Sequence, residues 1–179
     1  MKRKDIIIKS KRLLLKATSI NDAVFLVELL NTPKWLKYIG DRGVKTTQDS
    51  EDYITTKIRP QIEKLGYGNY TVVRKTDGVK VGTCGLYDRE GLEGVDIGFA
   101  FLPEYEKQGY AYESSKKLLE VGFSNFSIKL VNAITMPSNK ASQRLLEKLD
   151  LSFKKMIKLP HDENELMLYQ KQNFAKQPT

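Results

Sequence analysis

The sequence predicts a single α/β domain with a mixed sheet, and three observations lead there. Residues 95–149 read as strand, glycine turn, helix, strand and capped helix in close succession. Asp77-Gly78 lies between two apolar runs and marks a hairpin. Strand and helix periodicities then alternate in the order β-α-α-β-β-β-α-β-α-β-β, which is an α/β order. No internal repeat, low-complexity tract or Pro/Gly/Ser linker interrupts it, so residues 1–179 read as one domain with a core of about 10–170 and frayed termini.

Each element has a local cause. Arg12 to Lys16 is a short apolar strand. Ser19-x-x-Asp22 is a capping-box pattern, and Ala23, Leu26, Leu29 and Leu30 form the buried stripe of the helix behind it. Thr46-x-x-Asp49 offers a second cap. Ile54, Ile58, Ile62 and Leu65 carry that helix to Gly66, with Pro60 bending it. Asn69 to Lys75 and Val79 to Leu86 are the hairpin strands. A turn through Gly91 and Gly94 leads to a strand from Val95 to Phe101, closed by Pro103. Beyond Gly109, small or apolar side chains at Ala111, Ser115, Leu118, Leu119 and Gly122 predict a helix over 109–124 with one face on the sheet. A strand at 129–135, a helix at 139–149 and two strands near 151–158 and 164–170 complete the chain, the last two joined by a polar turn from Pro160 to Asn164.

Composition bounds the function. The chain has 179 residues, 40% hydrophobic and 29% charged, which suits one globular domain with its own core. No run approaches the roughly 18 apolar residues of a membrane span. The start, MKRKDIIIKSKRLLL, lacks the sustained apolar stretch and cleavage site of a signal peptide. Cys84 is the sole cysteine, which excludes an internal disulfide and a cysteine-rich metal site. A cytoplasmic location is therefore expected. The net charge is +8, part of it at Lys2, Arg3, Lys4, Lys9, Lys11, Arg12, Lys171 and Lys176. It reads as a solvated basic surface or as attraction for a polyanion. The chain has no base-reading motif, so nucleic acid is not expected as the main ligand.

The turn at Gly109 carries the strongest chemical signal. A glycine turn between a strand end and a helix start gathers free backbone N–H groups at the positive end of the helix dipole. Gly109 and Ala111 are small enough for a phosphate to reach that backbone. With IGFAFLPEY before the turn, GYAYES after it, SNKASQRLLEKL downstream and RLLLKATSINDAVFLVELLN near the N-terminus, the chain resembles the GNAT acetyltransferases, in particular the branch containing the ribosomal-protein N-acetyltransferases. The resemblance covers roughly residues 10–170. The family's pyrophosphate loop reads Arg or Gln, two residues, Gly, one residue, Gly or Ala. Here Gly109 and Ala111 match, whereas Glu106 stands where a basic or amide side chain is usual and Lys107 replaces a frequent glycine.

The resemblance implies a mostly antiparallel sheet splayed at the acyl-CoA site, with acetyl-CoA as co-substrate. Its pyrophosphate would rest on Lys107, Gln108, Gly109, Tyr110, Ala111 and Tyr112. The pantetheine arm would lie between strands 95–101 and 129–135, on the backbone of Phe99, Ala100 and Phe101. Asn139 matches the family's pantetheine-contacting asparagine; otherwise it caps the helix, a task Ser138 could take equally well. Ser142 and Arg144 also match the branch, and Arg144 reads equally as a surface ion-pair residue. Asp96 is the candidate catalytic base, or else an exposed strand residue that orients water or pairs with a lysine. An ordinary aspartate, with a pKa of about 3.9, is a feeble base unless burial raises it.

Many relatives place a tyrosine seven residues after the asparagine to protonate the leaving thiolate; here that position is Leu146. His161, the only histidine, falls in a polar turn beside Asp162 and Glu163, and reads as solvated. Cys84 reads as core. Trp35, Tyr38, Tyr67 and Tyr70 come from segments that line the acceptor side in relatives. In the segments 31–45 and 66–70, Asp41 is the single acid among Lys34, Lys37, Arg42 and Lys45, and Asp88, Glu90 or Glu163 could reach the rim.

The expected activity is N-acetyl transfer from acetyl-CoA to a primary amine, by direct attack on the thioester and with no metal. The acceptor is a peptide N-terminus or a small-molecule amine, and a neutral or acidic acceptor suits the local charge better than a polycation. A non-catalytic CoA-binding module and a basic ribosome- or RNA-associated protein are the alternative readings. The sequence leaves monomer and dimer open.

Overall fold

Apolar residues recur with strand spacing along the predicted strands because each strand turns one face to a layer of helices. The computed structural model describes residues 6–160 and 162–173. One eight-stranded sheet runs in the order β1-β2-β3-β4-β5-β6-β8-β7. Its strands are β1 (Ile7–Lys9), β2 (Leu13–Ala17), β3 (Asn69–Arg74), β4 (Lys80–Tyr87), β5 (Val95–Phe101), β6 (Leu130–Thr135), β7 (Ser152–Ile157) and β8 (Leu166–Gln172). Neighbours pair antiparallel except β5 and β6, which are parallel. The mixed, mostly antiparallel sheet is the expected one. The edge strand β1 is an addition to the expected order.

The two capping patterns work as expected. The Ser19 N–H donates to the Asp22 carboxylate at 3.0 Å, where a short 3-10 turn (Ile20–Asp22) leads into α1 (Ala23–Leu30). Asp49 N–H donates to Thr46 Oγ1 at 3.1 Å and Thr46 N–H returns to the Asp49 carboxylate at 2.8 Å, opening α3 (Thr47–Tyr53). Between them stands α2 (Pro33–Tyr38), which the apolar pattern misses. Its signals are short-range: Thr32 caps the Trp35 N–H at 3.4 Å, and Pro33 occupies the first turn.

Pro60 does not simply bend the second helix. A proline ring collides with the carbonyl four residues before it and gives no N–H. The chain widens into a π-helical turn (Ile54–Ile58) and resumes as α4 (Arg59–Leu65), ended by Gly66 at φ +83°. One apolar face stays buried through this change, since Ile54, Ile58 and Ile62 all remain in the core.

Two cores sandwich the sheet. One holds Leu118 and Leu119 of α5 (Tyr110–Asn125) and Leu146 of α6 (Lys140–Lys148) against Leu13, Leu15, Val72, Ile97 and Val131. The other joins Leu26 and Leu29 of α1 to Val44, Ile54, Ile58, Ile62 and Leu102. Cys84 lies in the first core, as expected. Among the described residues no helix is long and apolar enough to cross a membrane. Leu146 is 1% exposed, so Leu146→Ala should destabilise the fold by about 2–5 kcal/mol, read from urea unfolding at constant m-value.

Candidate active site

Strands β5 and β6 pair over only two positions, Val95 with Val131 and Asp96 with Asn132. Beyond these, β5 keeps its bonds to β4 as far as Phe101, and β6 keeps its bonds to β8 as far as Thr135. The two strands part, and residues 97–101 turn one backbone edge into a cleft of about 1310 Å³. Phe99, Ala100 and Phe101 line it from β5; Ala133, Ile134 and Thr135 line it from β6.

The cleft ends at the turn before α5. Lys107 and Gly109 both have left-handed backbones, at φ +58° and +80°. The helix closes first from Glu113 N–H to Gly109 C=O at 3.0 Å, so the N–H groups of the first helical turn have no carbonyl within the helix. Lys107, Gly109, Tyr110, Ala111 and Tyr112 line the cleft, whereas the Gln108 side chain folds back to the Glu104 carbonyl at 2.9 Å. Gln108 therefore belongs to the turn through its backbone alone.

A residue from the far end of the chain pins this turn. Arg12 Nη1 donates to the Gln108 carbonyl at 3.0 Å and Nε to Glu113 at 2.6 Å. The guanidinium stacks 4.6 Å from the centre of the Tyr110 ring. Glu113 also receives the Arg12 backbone N–H at 2.6 Å and the Ser10 hydroxyl at 2.7 Å. Glycine suits the left-handed backbone at position 109, and a Cβ there would lie 3.3 Å from Arg12 Nη2, close enough to press on that side chain. The unusual Glu106 is explained too: it forms an ion pair with Lys34 of α2, which draws that helix against the turn.

Asp96 corrects the expectation of an exposed strand residue. It is 1% exposed and accepts from Arg89 Nε at 2.7 Å, while its Oδ1 is buried without a hydrogen-bond partner. The pairing residue is an arginine, not a lysine. Burial raises the Asp96 pKa to about 6; the Arg89 charge and hydrogen bond, and more weakly the Ile134 peptide, pull the other way. The carboxyl lines the cleft and titrates near neutrality, where a base is most useful.

Asn139 also lines the cleft, but it is the N-cap of α6: its Oδ1 accepts from the Ser142 N–H at 3.2 Å. Ser138 does not take that task, so Asn139 can offer a ligand its Nδ2 and the second lone pair of Oδ1. Arg144 is exposed and forms no ion pair among the described residues, contrary to its surface-pair reading. Leu146 is core. Of the four expected aromatics, Trp35 and Tyr38 line the cleft, whereas Tyr70 is buried core and Tyr67 stacks on Phe126, 5.2 Å between ring centres. Tyr53, Tyr87 and Tyr105 line it instead. Asp41 pairs with Lys45 at 3.1 Å, away from the cleft. Glu90 and Asp162 reach the rim, and neither Asp88 nor Glu163 does. His161 lies outside the described residues.

A sheet split between two parallel strands, running from a helix start with free N–H groups to a buried carboxylate, has the architecture of an acyl-group transferase. The acetyltransferase (GNAT) domain family matches residues 12–152, and the chain belongs to that family of N-acetyltransferases. It is 28% identical over 154 residues to the uncharacterized N-acetyltransferase YnaD of Bacillus subtilis, covering 84% of this chain and 87% of that one. The uncharacterized N-acetyltransferase p20 of Bacillus licheniformis is 28% identical over 148 residues, with 82% and 81% covered. The fold is shared with a GNAT-family acetyltransferase from Bacillus anthracis, at TM-score 0.76, 23% identity and 93% and 98% coverage. It is shared also with the ribosomal-protein-S5-alanine acetyltransferase from Vibrio fischeri, at TM-score 0.79, 15% identity and 97% and 100% coverage.

The raised Asp96 pKa fixes the sign of its effect on stability. A carboxyl whose pKa is 3.8 unfolded and about 6 folded contributes stability below pH 4 that is lost as pH rises through 6. The loss is on the order of 3 kcal/mol. Asp96→Asn should lack this dependence, so the variant should gain on the wild type as pH is raised from 4 to 7 in paired urea titrations.

Proposed function

We propose that the chain moves an acetyl group from acetyl-CoA to a primary amine, by direct attack of the amine on the thioester. The observation that carries this is the buried Asp96, with one carboxylate oxygen unpartnered, at the point where β5 and β6 part. Acetyl-CoA lies with its pyrophosphate on the 107–112 turn. Its pantetheine arm takes the backbone groups that β5 turns toward the gap, at Phe99 to Phe101, and the Nδ2 of Asn139. Lys107, Lys140 and Lys148 line the cleft and favour the anionic co-substrate. The amine lone pair forms the C–N bond, Asp96 accepts the amine proton, and the C–S bond breaks. With the leucine at 146 buried, the departing thiolate takes its proton from water. The activity is cytoplasmic, where a lone reduced cysteine is at home.

The acceptor is a peptide N-terminus or a small-molecule amine. Solved relatives named as ribosomal-protein acetyltransferases favour the peptide. Charge points the same way. Arg89 is tied to Asp96 and Lys34 to Glu106. Arg42, Lys57, Glu90 and Asp162 also line the cleft, two cations and two acids. Among the described residues no group of carboxylates stands ready to hold a second cation, so a polyamine is a poor fit.

Thiol release from acetyl-CoA tests the assignment. Neutral and acidic peptides should be acetylated with higher kcat/KM than spermidine, and the reverse order would move the acceptor to polyamines. Gly109→Asp adds a side chain against Arg12 and a negative charge at the phosphate turn; it should raise the acetyl-CoA Kd at least tenfold, and an unchanged Kd in the folded variant would remove the turn from the site.

The base is tested separately. In the wild type kcat/KM should rise through about pH 6 as Asp96 ionises. Asp96→Asn should lose that limb and fall about 10²–10⁴-fold at pH 7. An intact pH profile in the variant would assign the proton to solvent.

A further inference from the structure

We propose that Tyr87 holds the acceptor nitrogen: its hydroxyl oxygen accepts one N–H bond of the attacking amine while Asp96 accepts the other. This rests on the reading of Asp96 as base and extends it to the chemistry the acceptor must have.

Tyr87 and Asp96 are direct partners across β4 and β5, and both line the cleft. Side chains directly opposite each other share one face of a sheet. The Tyr87 ring does not stand up from that face; it lies back along the strands. A Cβ on Gly85 would come within 2.4 Å of its hydroxyl, and one on Gly98 within 3.0 Å of its ring. Two glycines thus make the bed in which the phenol rests, and larger residues at either position would lift it.

The hydroxyl proton is already committed. Tyr87 donates to Asn69 Oδ1 at 2.5 Å. Asn69 Nδ2 donates to Thr18 Oγ1 at 2.8 Å, and Thr18 and Thr71 share a hydrogen bond at 3.0 Å. Thr18, Asn69 and Thr71 are all buried. The amide can accept only through its oxygen and donate only through its nitrogen, so the chain has one direction. Burial, above all, holds the phenol protonated. What Tyr87 has left for the cleft is an oxygen lone pair, not a proton. Asp96 supplies the second acceptor, a buried Oδ1 without a hydrogen-bond partner.

The acceptor pair of Tyr87 and Asp96 suits one nucleophile in particular. A neutral primary amine attacks with its lone pair, and its two N–H bonds point away from the carbon being attacked. Holding both N–H bonds on the sheet aims the lone pair into the gap between β5 and β6. One proton passes to Asp96 as the C–N bond forms. The electron pair of the C–S bond leaves with sulfur, and the Tyr87 proton stays on Asn69. A secondary amine has one N–H and presses an alkyl group on the other acceptor, which then stays buried and unpaired. Sites built for a hydrogen bond reject such analogues strongly.

Tyr87→Phe keeps the ring and removes the oxygen. The experiment compares an alanyl peptide with its N-methylalanyl counterpart, by thiol release from acetyl-CoA. Wild type should prefer the primary amine by roughly 10²-fold or more in kcat/KM. The variant should lose about 10–100-fold on the alanyl peptide and little on the methylated one, so the preference collapses toward unity, with the acetyl-CoA Kd unchanged. A lower Tm would follow from the lost Asn69 bond alone; the selectivity ratio is the readout that a structural role does not move. An undiminished ratio in a variant that binds acetyl-CoA normally would overturn the inference and leave acetyl transfer intact. No thiol release by wild type with either peptide would instead overturn the peptide acceptor, and this inference with it.

Discussion

The parting of β5 from β6 after two residue pairs governs what surrounds it. Backbone N–H and C=O groups taken from water need partners. β5 satisfies one edge on β4 all the way to Phe101; along 97–101 its other edge meets the cleft. A ligand with amide groups of its own can satisfy that edge, and a rigid sheet holds it in one register. The helix that crosses over between the two strands starts beside the open end, so the split and the turn before α5 arise from one β-α-β connection.

Charge in the cleft is arranged in pairs that leave chosen groups exposed. Glu106 departs from the family's basic residue and, from sequence, weakens the case for a phosphate site. In the fold its charge is met by Lys34, while Arg12 places a guanidinium against Gly109. Arg12 is itself paired with Glu113, so Lys107 is the loop cation that lines the cleft. Burial sets the balance at Asp96 differently: the carboxyl has one arginine beside it, yet desolvation prevails and leaves it easier to protonate than an exposed aspartate.

Much of this was legible in the sequence because it depends on neighbours in the chain. The two capping boxes, the Asp77-Gly78 hairpin and the glycine turn before α5 each follow from a few adjacent residues. The pairing of Arg12 with Gln108 and Glu113 was not, since 96 and 101 residues separate the partners. Tyr87 is equally silent in the sequence: a tyrosine at a strand end signals nothing until the glycines at 85 and 98 show where its ring lies. The short edge strand β1 and the six-residue α2 escape pattern reading because neither is long enough to display a period. Asp96 was found, but its burial was not, because strand alternation gives a residue's face and not the depth of what covers it.

The π-helical turn before Pro60 acts as a phase shift. An extra residue within one turn rotates everything after it by about 100° relative to an uninterrupted helix. The stretch after the turn keeps Ile62 in the core beside α1 and also reaches the end of the sheet. Gln61 shows the result. Its Nε2 donates to the carbonyls of Tyr67 at 3.1 Å and Leu86 at 2.8 Å, and its Oε1 accepts the Asp88 N–H at 3.2 Å. One side chain thereby fastens the loop entering β3 to the loop leaving β4. One helical segment thereby keeps Ile54, Ile58 and Ile62 in the core beside α1 and still brings Gln61 to the two loops at the end of the sheet.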